Sequence, residues 1–221
     1  MKKQNKNKKG FTLVEMILSL AIICIIGGVI GGICVSISDS FSTTYNIDDS
    51  TDYAILYANG FENSFLKETQ GTTGAAGDKF IWCVQPVGGI PKLTVTDKDS
   101  HSSAIFEPNF IKTGSGDSKW DIRMFYKFDT TTKCVSYKIF VKDNYSRTHY
   151  VYMYEGSFWV PRFTERAKQN GVEDSRQIIV SGDAMTEDTF SNTYNWDDDE
   201  IAVISSQFDS SYKSVIEYDW G

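Results

Sequence analysis

Residues 16–37 read MILSLAIICIIGGVIGGICVSI, 22 residues without a charge. As an α-helix rising ~1.5 Å per residue the run reaches about 33 Å, close to the ~30 Å of a bilayer's hydrocarbon core. No soluble fold accommodates such a run at a chain end as easily as a membrane does, so it constrains everything that follows. Lys2, Lys3, Lys6, Lys8 and Lys9 all precede it. The positive-inside rule then predicts a cytoplasmic N-terminus and a body on the far side. Glu15 is the only charged side chain between Lys9 and Asp39. A charge at the centre of a bilayer costs about 2.5–3.5 kcal/mol even on insertion scales, so a carboxylate at the mouth of this run needs a reason.

An ordinary secretory signal also has a basic start and an apolar core. Here the run is longer than a usual signal core, no clean small-x-small cleavage site follows it, and Gly10 lies before it. A plain signal anchor fits the length and charge but leaves Gly10-Phe11-Thr12-Leu13-Val14-Glu15 unexplained. The stretch KKGFTLVE followed by an uncut apolar helix resembles the class III signal of type IV prepilins and related pseudopilins. That resemblance implies a cut between Gly10 and Phe11 by a prepilin peptidase/methyltransferase, with methylation of the new N-terminal Phe11. It also implies that Glu15 pairs with the N-terminal amine of a neighbouring subunit and sets axial register during assembly. A carboxylate and an ammonium attract far more strongly in a low-dielectric bundle than in water, and on this reading the carboxylate's partner arrives with the next subunit.

Gly27-Gly28 and Gly31-Gly32 form two overlapping small-xxx-small pairs, which let helices approach closely in lipid. Each glycine also weakens a helix by about 1 kcal/mol relative to alanine. Many pilins carry a proline near the position of Gly32 and loosen there in the filament. This chain has none at that point, so the glycines are expected either to permit local unwinding over Gly27–Gly32 or to serve close packing alone.

Residues 38–70 are polar with apolar residues at steps of three and four, among them Tyr53, Leu56, Phe61 and Phe65. This predicts an amphipathic continuation of the helix, with a break expected around residues 46–51. GTTGAAGDK, residues 71–79, reads as a loop. Beyond it, KFIWCVQ, DIRMFYKF, CVSYKIFVK, THYVYMYE and SFWVPRF are rich in β-branched and aromatic residues, and QIIV, EIAVISSQF and SVIEY read as later strands. One long helix followed by consecutive strands predicts an α+β fold, the helix packed on an antiparallel sheet, and the resemblance implies the same type IV pilin-like architecture. The expected organisation is a removed leader, 1–10, a transmembrane and assembly helix, 11–37, its amphipathic continuation, 38–70, and a β-rich extracytoplasmic domain, 71–221.

A hydrophobic content of 41% and an aromatic content of 14% are enough for a real core. The net charge of −7 includes five lysines in the leader, so the body is more acidic still. That balance argues against direct nucleic-acid binding, which rests on Lys and Arg releasing phosphate counterions. Cys24 and Cys34 lie in the apolar run and are expected to behave as small apolar residues. Cys83 and Cys134 lie in predicted strands outside the membrane, either as a disulfide or as two free thiols. No C-x-x-C pair points to structural zinc. His101 and His149 have no nucleophile–base arrangement near them, so no enzymatic activity is expected. Asp197 and Asp199 in NTYNWDDDE could offer oxygen ligands to Ca²⁺, although a solvated acidic run is the favoured reading and no cofactor is expected.

The resemblance therefore implies a structural subunit, most simply a minor pilin, of a type IV pilus or pilus-like filament. Its implied partners are other pilin subunits, the prepilin peptidase, the inner-membrane assembly platform and, before assembly, the lipid membrane. It would be a single-pass membrane protein that ends at the cell surface. An adhesive or competence pilin with an aromatic-rich exposed body, and a type II secretion pseudopilin, are the alternatives.

Overall fold

The computed structural model describes residues 12–70, 78–106, 118–145, 151–160 and 176–220. Helix α1 spans Leu13–Gln70. The chain divides into two compact units, one as far as Tyr45 and one from Asn46 onward. In the first unit the 26 residues Leu13–Ser38 are apolar enough to cross a membrane, and none of them is buried against the rest of the chain. The break expected around residues 46–51 does not occur. Helix α1 runs through these residues, and Thr51 Oγ1 donates to the Ile47 carbonyl at 2.8 Å. Ser50, Tyr53 and Ala54 are already buried there, so tertiary packing outweighs the weak local propensity of the Asp/Ser/Thr run.

In the second unit eight described strands form one antiparallel sheet. They are β1 (Lys79–Val87), β2 (Ile90–Asp97), β3 (Ser102–Phe106), β4 (Trp120–Asp129), β5 (Cys134–Asp143), β6 (Val151–Trp159), β7 (Gln177–Met185) and β8 (Asp209–Asp219). The order is β3-β2-β1-β8-β4-β5-β6, with β7 pairing β8 off this path. Two expected strands, THYVYMYE and SFWVPRF, are one strand, β6. Strands β2 and β3 have no counterpart among the sequence expectations. The β1–β2 hairpin closes through Gly88 and Gly89, with φ of 62° and 78°, and Val87 pairs with Ile90 across the two-residue turn. Two successive positive φ values define the turn whose twist suits a tight hairpin, and glycine adopts them without strain.

Alternation along the strands separates two cores. Trp120, Ile122, Met124 and Tyr126 of β4 and Val135, Tyr137, Ile139 and Val141 of β5 join Tyr57, Phe61 and Phe65 of α1 in the larger one. Phe61 touches the rings of Phe65, Tyr126, Tyr137 and Phe158. Phe125 and Phe140 point to the other face and form a second core with Met185, Phe190, Trp196, Ile201 and Ile204. That back cover comes from the segment between β7 and β8, which contains a π-helical turn, Thr189–Thr193, and helix α2, Asp198–Ile204.

EIAVISSQF is therefore a helix and a following 3₁₀ turn where a strand is expected. The acidic run explains the difference. Asp197 caps α2 by accepting from the Glu200 N–H at 2.9 Å, and Glu200 accepts from the Asp197 N–H at 3.1 Å. This reciprocal capping box fixes a helix start. Glu200 is only 6% exposed and pairs with Lys142 of β5 at 2.7 Å, so it is no part of a solvated surface run. Asp198 and Asp199 do remain exposed.

Candidate assembly site

Gly10 and Phe11, where cleavage and methylation are expected, lie outside the described residues. The site becomes visible at Thr12, which sits at the N-cap of α1. Its carbonyl accepts from the Met16 N–H at 3.2 Å, the first bond of the helix. Its hydroxyl oxygen accepts from the Glu15 N–H at 3.3 Å, while its own N–H and hydroxyl both donate to Glu15 Oε2 at 2.9 Å. Thr12-Leu13-Val14-Glu15 is thus a capping box, in which Thr and Glu three residues apart satisfy each other's free donors. Glu15 therefore has two hydrogen-bond donors in its own chain, on Oε2. The signal was present in the sequence as T-x-x-E directly before an apolar run.

Further along, α1 is helical through Gly27, Gly28, Gly31 and Gly32. A Cβ built on any of the four meets nothing within 4 Å. Nothing inside the chain requires glycine there, although each weakens the helix relative to alanine. The small residues continue in steps of four, from Gly28 and Gly32 to Ser36, Ser40 and Thr44, and together they floor a shallow groove. The Ser36, Ser40 and Thr44 hydroxyls each donate to the carbonyl four residues earlier, at 3.1, 2.9 and 2.9 Å. Each of these three hydroxyls thus has its acceptor within its own helix.

Comparison with known families decides what kind of N-terminus this is. A family model described as the prokaryotic N-terminal methylation motif matches residues 5–36. The N-terminus is a type IV prepilin-like class III signal peptide. No curated protein and no solved structure matches the chain. The prepilin-like motif implies processing by a prepilin peptidase and assembly with other pilin subunits. The α+β architecture, a long N-terminal helix followed by an antiparallel sheet, is consistent with a pilin-like fold.

The remaining candidates fall away from this prepilin-like site. Cys83 and Cys134 are free thiols. Strands β8 and β4 lie between their strands β1 and β5, three steps of about 4.8 Å where a disulfide needs Cα atoms within about 7 Å, so the disulfide expectation is corrected. Cys24 and Cys34 are exposed on the apolar, membrane-capable part of α1. Asp197 accepts the α2 capping bond through Oδ1, and Asp199 is exposed beside it. His149 lies outside the described residues. His101 belongs to a group not foreseen, with Asp97 and Asp99 on the β2–β3 turn, whose ligand atoms lie within 4.8 Å of one another. There the Asp97 carboxylate accepts from the backbone N–H groups of Asp99 and His101 at 3.0 and 2.9 Å. Its Oδ1 is already occupied in holding the turn.

Proposed function

We propose that this protein is a structural subunit, and a minor one, of a type IV pilus or pilus-like filament, with no catalytic role of its own. The N-terminus starts in the cytoplasm and the body is extracytoplasmic. The peptidase cuts after Gly10 and methylates Phe11. The assembly platform then draws the subunit from the lipid into the fibre, where Glu15 meets the amine of a neighbouring Phe11. The single observation that carries this reading is a methylation motif that runs directly into an apolar helix exposed along its whole length. The four glycines with open space around them support it, since small residues let a second helix approach closely in lipid. The minor assignment draws on the large individual body.

The adhesive alternative has little to draw on in the body. Among the described residues most of the body's large aromatic side chains are buried or packed against the two cores, and Tyr145 and Trp159 are the conspicuously exposed rings. The test is mass spectrometry of the protein purified from the membranes of its native host. The expected product starts at Phe11 and carries a methylated amine. A chain that keeps residues 1–10, or one cut beyond the apolar run, contradicts the proposal.

A further inference from the structure

We propose that Thr12 is a positioning residue for the Glu15 contact, holding the carboxylate by Oε2 so that Oε1 is presented to the ammonium group of a second subunit. This rests on the filament reading above and adds to it the residue that prepares the contact.

The geometry is specific. Both Thr12 donors, the backbone N–H and the hydroxyl, converge on one carboxylate oxygen at 2.9 Å each. Among the described residues the other oxygen accepts nothing. The hydroxyl simultaneously accepts from the Glu15 N–H at 3.3 Å, a double use open to an alcohol because it donates and accepts at once. A valine of the same shape can do neither, and an aspartate could accept but not donate.

Two consequences follow for a carboxylate at a membrane boundary. Two donors on Oε2 offset part of its desolvation in the lone subunit, where no amine is at hand. They also fix the side chain's rotamer before assembly, so less freedom is lost when the amine arrives. The incoming ammonium then makes a charge-assisted bond to an oxygen already aimed and unoccupied. The carboxylate is held in waiting rather than left bare.

A capping box also stabilises a helix, and that simpler role has a different signature. Glycine at an N-cap costs only a few tenths of a kcal/mol relative to threonine in helix stability, whereas valine is a poor cap. A mere cap therefore tolerates glycine and serine and suffers only from valine. A positioning hydroxyl tolerates serine and suffers from both valine and glycine.

The test uses the full chain in its native host with Thr12→Ser, Thr12→Gly, Thr12→Val and Glu15→Ala. Processing is read by gel shift, insertion by membrane fractionation, and assembly by the amount in sheared fibres. Expected is wild-type processing and insertion in all Thr12 variants and wild-type assembly for Thr12→Ser. Thr12→Gly and Thr12→Val should each lose about fivefold in the fibre fraction, the factor to which one lost hydrogen bond of about 1 kcal/mol corresponds. Wild-type assembly of Thr12→Gly overturns the proposal, as does a loss that arises at processing or insertion. If Glu15→Ala itself assembles like wild type, the filament contact fails and the Thr12 role falls with it. If Glu15→Ala is defective and both Thr12→Gly and Thr12→Val assemble normally, only the Thr12 role fails.

Discussion

At the scale of single residues, the charged side chains that look misplaced in the sequence are those with the most specific partners. Glu15 folds back onto Thr12, and Glu200 does the same with Asp197 while also reaching Lys142. The Glu200–Lys142 pair is nearly closed to solvent, with side-chain exposures of 8% and 12%. Removing one member leaves the other charged and buried, which costs about 3–5 kcal/mol. Lys142→Met should therefore lower the urea midpoint of the detergent-solubilised chain strongly. Replacing both residues together with apolar ones should recover most of that loss. Gly156 poses a steric version of the same question. It lies opposite Tyr137 in the β5–β6 ladder, and a Cβ there would run into the tyrosine's ring and hydroxyl. That hydroxyl donates to Glu62 of α1 at 2.5 Å, so Gly156→Ala should cost about 1–3 kcal/mol as an overpacking change, with a lowered melting temperature as the readout. Asp209 contributes on the acid side. The Ser211 hydroxyl and N–H hold its carboxyl below the ordinary carboxylate range. A depressed folded pKa contributes stability that is present above the unfolded value, near 3.9, and lost as pH falls through the folded value. Asp209→Asn should therefore flatten part of the fall in melting temperature below about pH 4 and leave its slope at neutral pH unchanged.

At the scale of elements, legibility followed the strength of the local period. Strands β4 and β5 alternate over ten residues each, and α1 keeps its three-and-four spacing from Tyr53 to Phe65, so all three could be read from the sequence. Strand β2 could not, because Pro91 and Lys92 interrupt its apolar pattern and its two flanking glycines read as loop. The Gly88-Gly89 hairpin signal was nonetheless there. Helix α2 was hidden for the opposite reason. IAVI is β-branched and apolar, and a short run of that kind fits a buried strand as well as a helix. The capping box over Asp197–Glu200 decides between them, and it resembles a solvated acidic run until Glu200 is seen buried against β5. The same pattern at Thr12–Glu15 was legible in principle, but a charge at the start of an apolar run invites a partner from outside the chain.

At the scale of the whole molecule, the chain contains one region finished within itself and one that is not. The sheet is covered on one face by residues of α1 and on the other by the segment between β7 and β8, each with an aromatic core. Phe61 sits where four rings meet, and Phe61→Ala should cost about 3–5 kcal/mol of stability, measurable as a large drop in the melting temperature of the detergent-solubilised chain. The N-terminal segment shows no such closure. Its apolar side chains, from Leu13 to Ile37, are exposed, and among the described residues nothing lies within 4 Å of a Cβ built on any of its four glycines. A fold that is self-sufficient in its body and incomplete in its helix is what assembly through the helix requires. The most direct test is immunogold electron microscopy of the native host with an antibody to the body, comparing wild type with Glu15→Ala. Sparse label along surface fibres is expected in the wild type, and label confined to the cell membrane in Glu15→Ala. Label confined to the membrane in the wild type, or fibres labelled equally in both, contradicts assembly through the helix.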